Sequence, residues 1–167
     1  SFNRVRQLDF NNSNSTVVIA PGASYPTKQW PKEKFAELAV RLNKEHNCNI
    51  ILALTKSDTD FAGLTAQIPA ENKLMLLDAD LEKLAGVFSE SDLVICNDSA
   101  MWHLGSSVGT PVAAIFGPTH PTLGFAPRGY KDVVIQADEY CRPCSKHGKK
   151  RCFRDEQFCF TLISVDS

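Results

Sequence analysis

The sequence of 167 residues predicts an α/β domain, a parallel sheet covered by helices on both faces, and three observations carry that expectation. Short apolar runs recur along the chain, segments with apolar residues at helical spacing separate them, and the turns between carry Gly, Pro, Ser or Asp. Strands that are apolar throughout need cover on both faces, which is the condition of a parallel sheet.

Thr16 to Ala20 is the first apolar run, ended by Pro21-Gly22. Pro31 opens a helix in which Phe35, Leu38, Ala39 and Leu42 repeat on one side. Asn49 to Leu54 is a second strand, and Asp58 to Ile68 is expected to be helical, with Phe61, Leu64 and Ile68 facing one way. Lys73 to Leu77 gives a third strand, and Leu81, Leu84, Ala85 and Phe88 mark a third helix. Leu93 to Cys96 is a fourth strand before a capped helix from Ser99, and Val112 to Phe116 and Val133 to Ile135 complete the series. This alternation is that of a Rossmann-like domain, whose ligands sit at the carboxyl ends of the strands. Residues 1–15, with the polar run Asn11 to Ser15, read as a linker or edge. Residues 16–167 read as one domain with a cysteine-rich segment over 139–160. The end, Thr161 to Ser167, carries no terminating signal, so the chain is expected to be a piece of a longer protein.

With 43% hydrophobic and 22% charged residues the chain reads as soluble and globular. A net charge of -1 exerts no global pull on nucleic acid or a membrane, so nucleic acid is not an expected partner and any anion recognition must be local. No run of about eighteen apolar residues occurs, and Ser1-Phe2-Asn3-Arg4 is not the start of a signal peptide, which predicts a cytoplasmic protein.

The most informative segment is Val94 to Gly105, where an apolar strand runs straight into a capped helix. Asp98 is the expected N-cap and Ser99 and Ala100 the first helical residues, whose N–H groups face outward at the positive end of the dipole and suit a phosphate. His103 lies four residues beyond Ser99 on the same helix face. The plainer reading is an ordinary capped helix with a core histidine. A second element lies between the first strand and helix, where Pro21 to Pro31 form a loop too long for a simple turn. Its Ser24 allows close approach of an anion, and Lys28 supplies a mobile positive charge. This loop is neither a Walker A motif nor a GxGxxG fingerprint. A third element is the run Gly109 to Thr119, a buried strand emptying into Gly117-Pro118-Thr119.

Taken in order, Lys28-x-Trp30-Pro31, Asn97-Asp98-Ser99-x-x-x-His103-Leu104 and Phe116-Gly117-Pro118-Thr119-x-Pro121 resemble the C-terminal domain of the family 9 glycosyltransferases, the ADP-heptose:lipopolysaccharide heptosyltransferases. The resemblance covers about residues 16 to 165. It implies a GT-B architecture, two facing Rossmann-like domains of which the C-terminal one holds the nucleotide-sugar donor, here ADP-heptose. Lys28 and Ser24 would then contact the diphosphate, Ser99 and Ala100 would offer helix-start amides, and Asp98 would lie against the donor sugar. Thr119 joins this donor set. The ribose acid would fall near Asp58 or Asp60, and the adenine near Leu77 and Ala79. His103 either contacts phosphate or buttresses Asp98. The resemblance further implies inverting transfer without a metal, by an aspartate base in an N-terminal domain outside this sequence, which would also receive the lipopolysaccharide core acceptor. The fragment alone would bind donor and catalyse nothing. The full-length protein would work in the cytoplasm, at the inner face of the inner membrane through peripheral association. Two rival readings are the donor half of another GT-B enzyme, a UDP-sugar transferase or epimerase, and a non-enzymatic cysteine-metal module. A serine hydrolase on Ser99 and His103 is disfavoured because no G-x-S-x-G elbow surrounds the serine.

Cys48 and Cys96 fall in apolar runs and read as buried thiols. The other four, Cys141-x2-Cys144-x7-Cys152-x6-Cys159, have one pair at metal-ligand spacing but no second pair to complete a zinc ribbon. Structural thiols or disulfides, a zinc or iron-sulfur site, and redox regulation all remain open. Arg142, Lys146, Lys149, Lys150, Arg151 and Arg154 surround them and are placed to lower thiol pKa values or to face an anionic acceptor; the plainer reading is a solvated loop.

Overall fold

A computed structural model describes Phe10, residues 13–56, Asp58, residues 60–124, Ala126, Pro127 and residues 129–167. The six strands are β1 (Thr16–Ala20), β2 (Asn49–Leu54), β3 (Lys73–Leu77), β4 (Leu93–Asn97), β5 (Val112–Phe116) and β6 (Val133–Gln136). All pair in parallel, in the order β3-β2-β1-β4-β5-β6. The chain runs outward in one direction from β1 to β3 and in the other from β4 to β6, so the order reverses between β1 and β4. Loops leaving two such strands diverge, and a crevice opens at their carboxyl ends.

Alternation along each strand divides the core into two layers. Val17 and Ile19 of β1 point to one face with Ile50, Leu52, Ile95 and Ile115, against Trp30, Phe35 and Phe160. Val18 and Ala20 point to the other, with Val94, Cys96 and Phe116, against Phe88 and Trp102. Helix α1 (Lys32–His46) covers the first face through Phe35, Ala36, Ala39 and Val40 and stops at Asn47, which takes a left-handed conformation at φ 57°. Helix α3 (Leu81–Ser89) covers the second, its start capped by Asp80, whose carboxylate accepts from the Lys83 amide at 2.8 Å.

The predicted second helix is much shorter than expected. Among the described residues of 58–68, only α2 (Phe61–Leu64) is helical. Asp58 stays outside it because its carboxylate accepts from the Thr55 amide and hydroxyl at 2.8 and 2.7 Å, a local closure that competes with helix. Of the expected linker, residues 1–9, 11 and 12 lie outside the described residues. Ser15 is tied to the sheet, its carbonyl accepting from the Asn49 amide at 2.8 Å.

Helix α4 (Ala100–Val108) approaches the sheet most closely at Gly105, where an added Cβ would lie 2.6 Å from Val112 Cγ2 and 3.6 Å from Val94 Cγ2. In an open helix Gly→Ala stabilises by about 1 kcal/mol. Here overpacking wins, and Gly105→Ala is expected to destabilise by about 1–3 kcal/mol in chemical denaturation. A gain in stability would show that α4 is free to lift from β5.

Candidate functional site

The crevice is organised by Asn97, fully buried at the end of β4. Its Nδ2 donates to the Pro21 carbonyl at 2.6 Å and its Oδ1 accepts from the Trp30 amide at 2.9 Å. The loop from β1 to α1 is therefore held to β4 at both ends. Trp30 anchors the far end, with its ring edge-on to Phe35 and its Nε1 donating to the Ile163 carbonyl at 3.2 Å. Ser24 and Lys28 lie on the span between.

Lys28 Nζ meets Asp98 Oδ2 at 2.8 Å, and both side chains are nearly enclosed, at 12% and 7% exposure. The same oxygen accepts from Thr119 Oγ1 at 2.8 Å. Asp98 is thus not the helix cap that the sequence predicts. Ser99 is, with extended backbone and its Oγ accepting from the Met101 amide at 3.3 Å, and the helix begins at Ala100. The physical reason is charge: a carboxylate gains more from an ammonium in an enclosed site than from a neutral N–H, which leaves the cap to the neighbouring hydroxyl. His103 is exposed and stacks on Trp102. Desolvation holds its pKa below the ordinary histidine value, against the opposing pull of Asp98.

Two adjoining cavities open over these residues. The first, about 530 Å³, has an apolar wall including Leu54, Leu76, Ala79 and Leu84, with Asp58 and Asp78 among its polar groups. The second, about 500 Å³, is lined by Lys28, Asp98, His103 and three residues of the Cys-rich segment. Ser24, Ser99 and Ala100 line both and mark where they meet. Of the eleven residues the sequence offers for the donor site, eight line one cavity or the other. Thr119 does not; it is buried behind Asp98 and acts on it. The two ribose candidates are separated, since Asp58 lines the first cavity whereas Asp60 pairs with Lys32 at the surface. Ala79 lines the cavity, but Leu77 is 56% exposed and does not. Sequence reasoning missed Asp78, which takes φ 45° just after β3 and whose Oδ1 accepts from the Lys56 amide at 3.1 Å. Its position at the carboxyl end of a predicted strand was the available signal.

Cys48 and Cys96 are buried, and burial pushes both thiols up. The other four cysteines are also free thiols and line one small cavity. Among the described residues no group of three or more His, Cys, Asp or Glu is arranged to hold a metal ion. At Cys144 and Cys159 the basic neighbours do not lower the thiol: desolvation pushes both up, outweighing the Arg142 charge. Arg142 instead spans the ends of β5 and β6, donating to the carbonyls of Gly117, Thr119 and Ala137 and to Gln136 Oε1. Arg154 pairs with Glu139 at 2.7 Å.

The model of glycosyltransferase family 9 (heptosyltransferase) matches residues 1–152. The chain belongs to this family. Among its relatives, lipopolysaccharide heptosyltransferase 1 of Pseudomonas aeruginosa is 27% identical over 160 residues, covering 89% of this chain and 44% of the relative. The solved E. coli ADP-heptose lps heptosyltransferase II is 25% identical with a TM-score of 0.64, over 74% of this chain and 39% of that one. The iron-containing heptosyltransferase TibC, solved with ADP-D-β-D-heptose, shares the fold at 16% identity and TM-score 0.69, over 93% of this chain and 43% of that one. The chain thus spans less than half the length of each of these three proteins, and its parallel α/β fold is that of the two solved structures. Among the described residues no helix is long and apolar enough to cross a membrane.

Replacing Asp98 by Asn would leave the enclosed Lys28 ammonium without its carboxylate while keeping an acceptor for Thr119. A loss of about 1–3 kcal/mol in folding stability is expected, measured by denaturant titration. Unchanged stability would show that the pair contributes nothing to the ligand-free fold. A second expectation concerns His103, whose proton NMR signal should titrate with a midpoint below the ordinary 6.5. A midpoint above it would mean that Asp98, not desolvation, controls the ring.

Proposed function

We propose that this chain is the donor-binding half of an inverting, metal-independent heptosyltransferase of lipopolysaccharide core biosynthesis, with ADP-heptose as donor. The observation that carries this reading is the pair of cavities meeting at Ser24, Ser99 and Ala100, one largely apolar with carboxylates in its wall, the other polar with Lys28 and Asp98. A nucleoside fits the first, with its base against Leu54, Leu76 and Ala79 and its ribose hydroxyls donating to Asp58 or Asp78. The diphosphate then falls at the junction, beside Ser24 and the start of α4, and the sugar enters the second cavity, where Asp98 accepts from its hydroxyls. The names of the heptosyltransferase relatives support the same substrate class.

Transfer from such a donor builds an oxocarbenium-like carbon and leaves charge on the departing diphosphate. The dipole of α4 and the ammonium of Lys28 are directed to that charge and favour the transition state over the ground state, which lets the transfer proceed without a divalent cation. The acceptor hydroxyl needs a general base. On this reading an aspartate of a facing N-terminal domain supplies it, and that domain also receives the lipopolysaccharide core. The complete enzyme would work from the cytoplasm at the inner face of the inner membrane, as a peripheral protein. This chain by itself binds donor and transfers nothing.

Calorimetry in EDTA is expected to show ADP binding to the chain, with UDP weaker. Lys28→Ala should weaken ADP by roughly 1.5–3 kcal/mol and leave adenosine nearly unaffected, because the ammonium addresses phosphate alone. Tight UDP binding without ADP binding would replace this reading by that of a UDP-sugar enzyme, and equal losses for ADP and adenosine would remove Lys28 from the phosphate site.

A further inference from the structure

We propose that the cysteine-rich segment forms a second wall of the anion site, and that Lys146 and Lys149 bind the diphosphate of the donor from the side opposite α4. This rests on the nucleotide-sugar reading above and assigns to that site residues that none of the motifs contains.

The first argument is electrostatic. Lys28 faces a carboxylate 2.8 Å away, so the pair brings little net charge to an incoming anion. A diphosphate carries two or more negative charges and needs cations beyond that pair. The cavity beside Lys28 and Asp98 is lined by two more, Lys146 and Lys149, with His147 between them. Both lysines are exposed residues on flexible stems, able to swing onto a ligand.

The second argument is mechanical. The segment does not merely pass the site; it is built onto the loop that carries Lys28. Thr27 Oγ1 donates to the Gly148 carbonyl, and Gln157 Nε2 donates to the Thr27 carbonyl at 2.7 Å. Gly148 takes φ 77° and lies flush on the lysine stem, where an added Cβ would stand 2.4 Å from Lys28 Cγ. Lys149 Nζ lies 6.0 Å from the centroid of the Tyr25 ring on the same loop. Thr27 also forms part of the wall of the cavity lined by Cys141, Cys144, Cys152 and Cys159. The cysteine-lined core of the segment therefore backs the loop, and its basic turn, 146–149, closes over the lysine stem toward the second cavity.

The double variant Lys146→Ala/Lys149→Ala, compared with the parent by calorimetry in EDTA, tests this with ADP, inorganic pyrophosphate and adenosine as probes. Both lysines are exposed, so the fold should survive, and an unchanged melting temperature verifies that. Expected is a loss of about tenfold or more in affinity for ADP and for pyrophosphate, as for charge-assisted phosphate contacts, with adenosine unaffected. Parent-like binding of ADP and pyrophosphate by the variant overturns the proposal while leaving the donor reading intact. A loss confined to ADP-heptose, with ADP spared, also overturns it, because the lysines would then address the sugar or acceptor side. A parent chain that binds neither ADP nor pyrophosphate overturns both readings together.

Discussion

One buried amide fixes the geometry on which the site depends. Asn97 uses a donor and an acceptor at once, on Pro21 and on Trp30, and so clamps both ends of a ten-residue loop to the carboxyl end of β4. A buried side-chain amide is costly unless it is satisfied, and this one is satisfied only in this arrangement. The loop has no regular structure over most of its length to hold it otherwise. Lys28, Ser24 and the start of α4 face a common space because one residue ties the element before them to the element after.

Within that frame the charges are arranged in a short chain. Arg142 holds the carbonyl of Thr119, the Thr119 hydroxyl holds Asp98, and Asp98 holds Lys28. Each link restricts the next, so the lysine reaches the cavity as a positioned cation. In a site this enclosed, positioning matters energetically, since an ammonium free to wander would lose part of its interaction to rotamer entropy. Asp98 also solves a problem of the ligand-free state by neutralising a cation with little access to water.

Strands were the most legible part of the sequence. All six begin where the apolar runs predict, and β4 and β6 each extend one residue further, because a parallel sheet covered on both faces leaves short continuous apolar runs. Helix 58–68 was over-read, since Phe61, Leu64 and Ile68 keep helical spacing while Asp58 closes on Thr55. The donor residues were legible through ordered motifs, but their roles were less so. Asp98 and Ser99 are both good caps by composition, and only the position of Lys28, 70 residues earlier, decides between them. The clamping role of Asn97, and Asp78 altogether, escaped for the same reason: each acts through partners distant in sequence, which local pattern does not encode. The cysteine spacing left thiols, disulfides, a metal and redox regulation open, because spacing fixes only separation along the chain; in the described residues the four are free thiols that share a cavity.

The strand order has a consequence for how the chain becomes functional. β1 precedes the other five strands in sequence and sits inside the sheet, so one of its edges pairs with the next strand, β2, while the other waits for the more distant β4. The link from Asn97 to Pro21 joins residues 76 apart in sequence. Pairings of such range form slowly, because the loop-closure entropy is lost before any contact returns it. An early folding unit of β1, β2 and β3 would therefore present a hydrophobic, unpaired edge and a slack β1 to α1 loop. Arrival of β4 closes the edge and tightens the loop in one event, so maturation of the crevice and protection of the nascent sheet from edge-to-edge association are the same step.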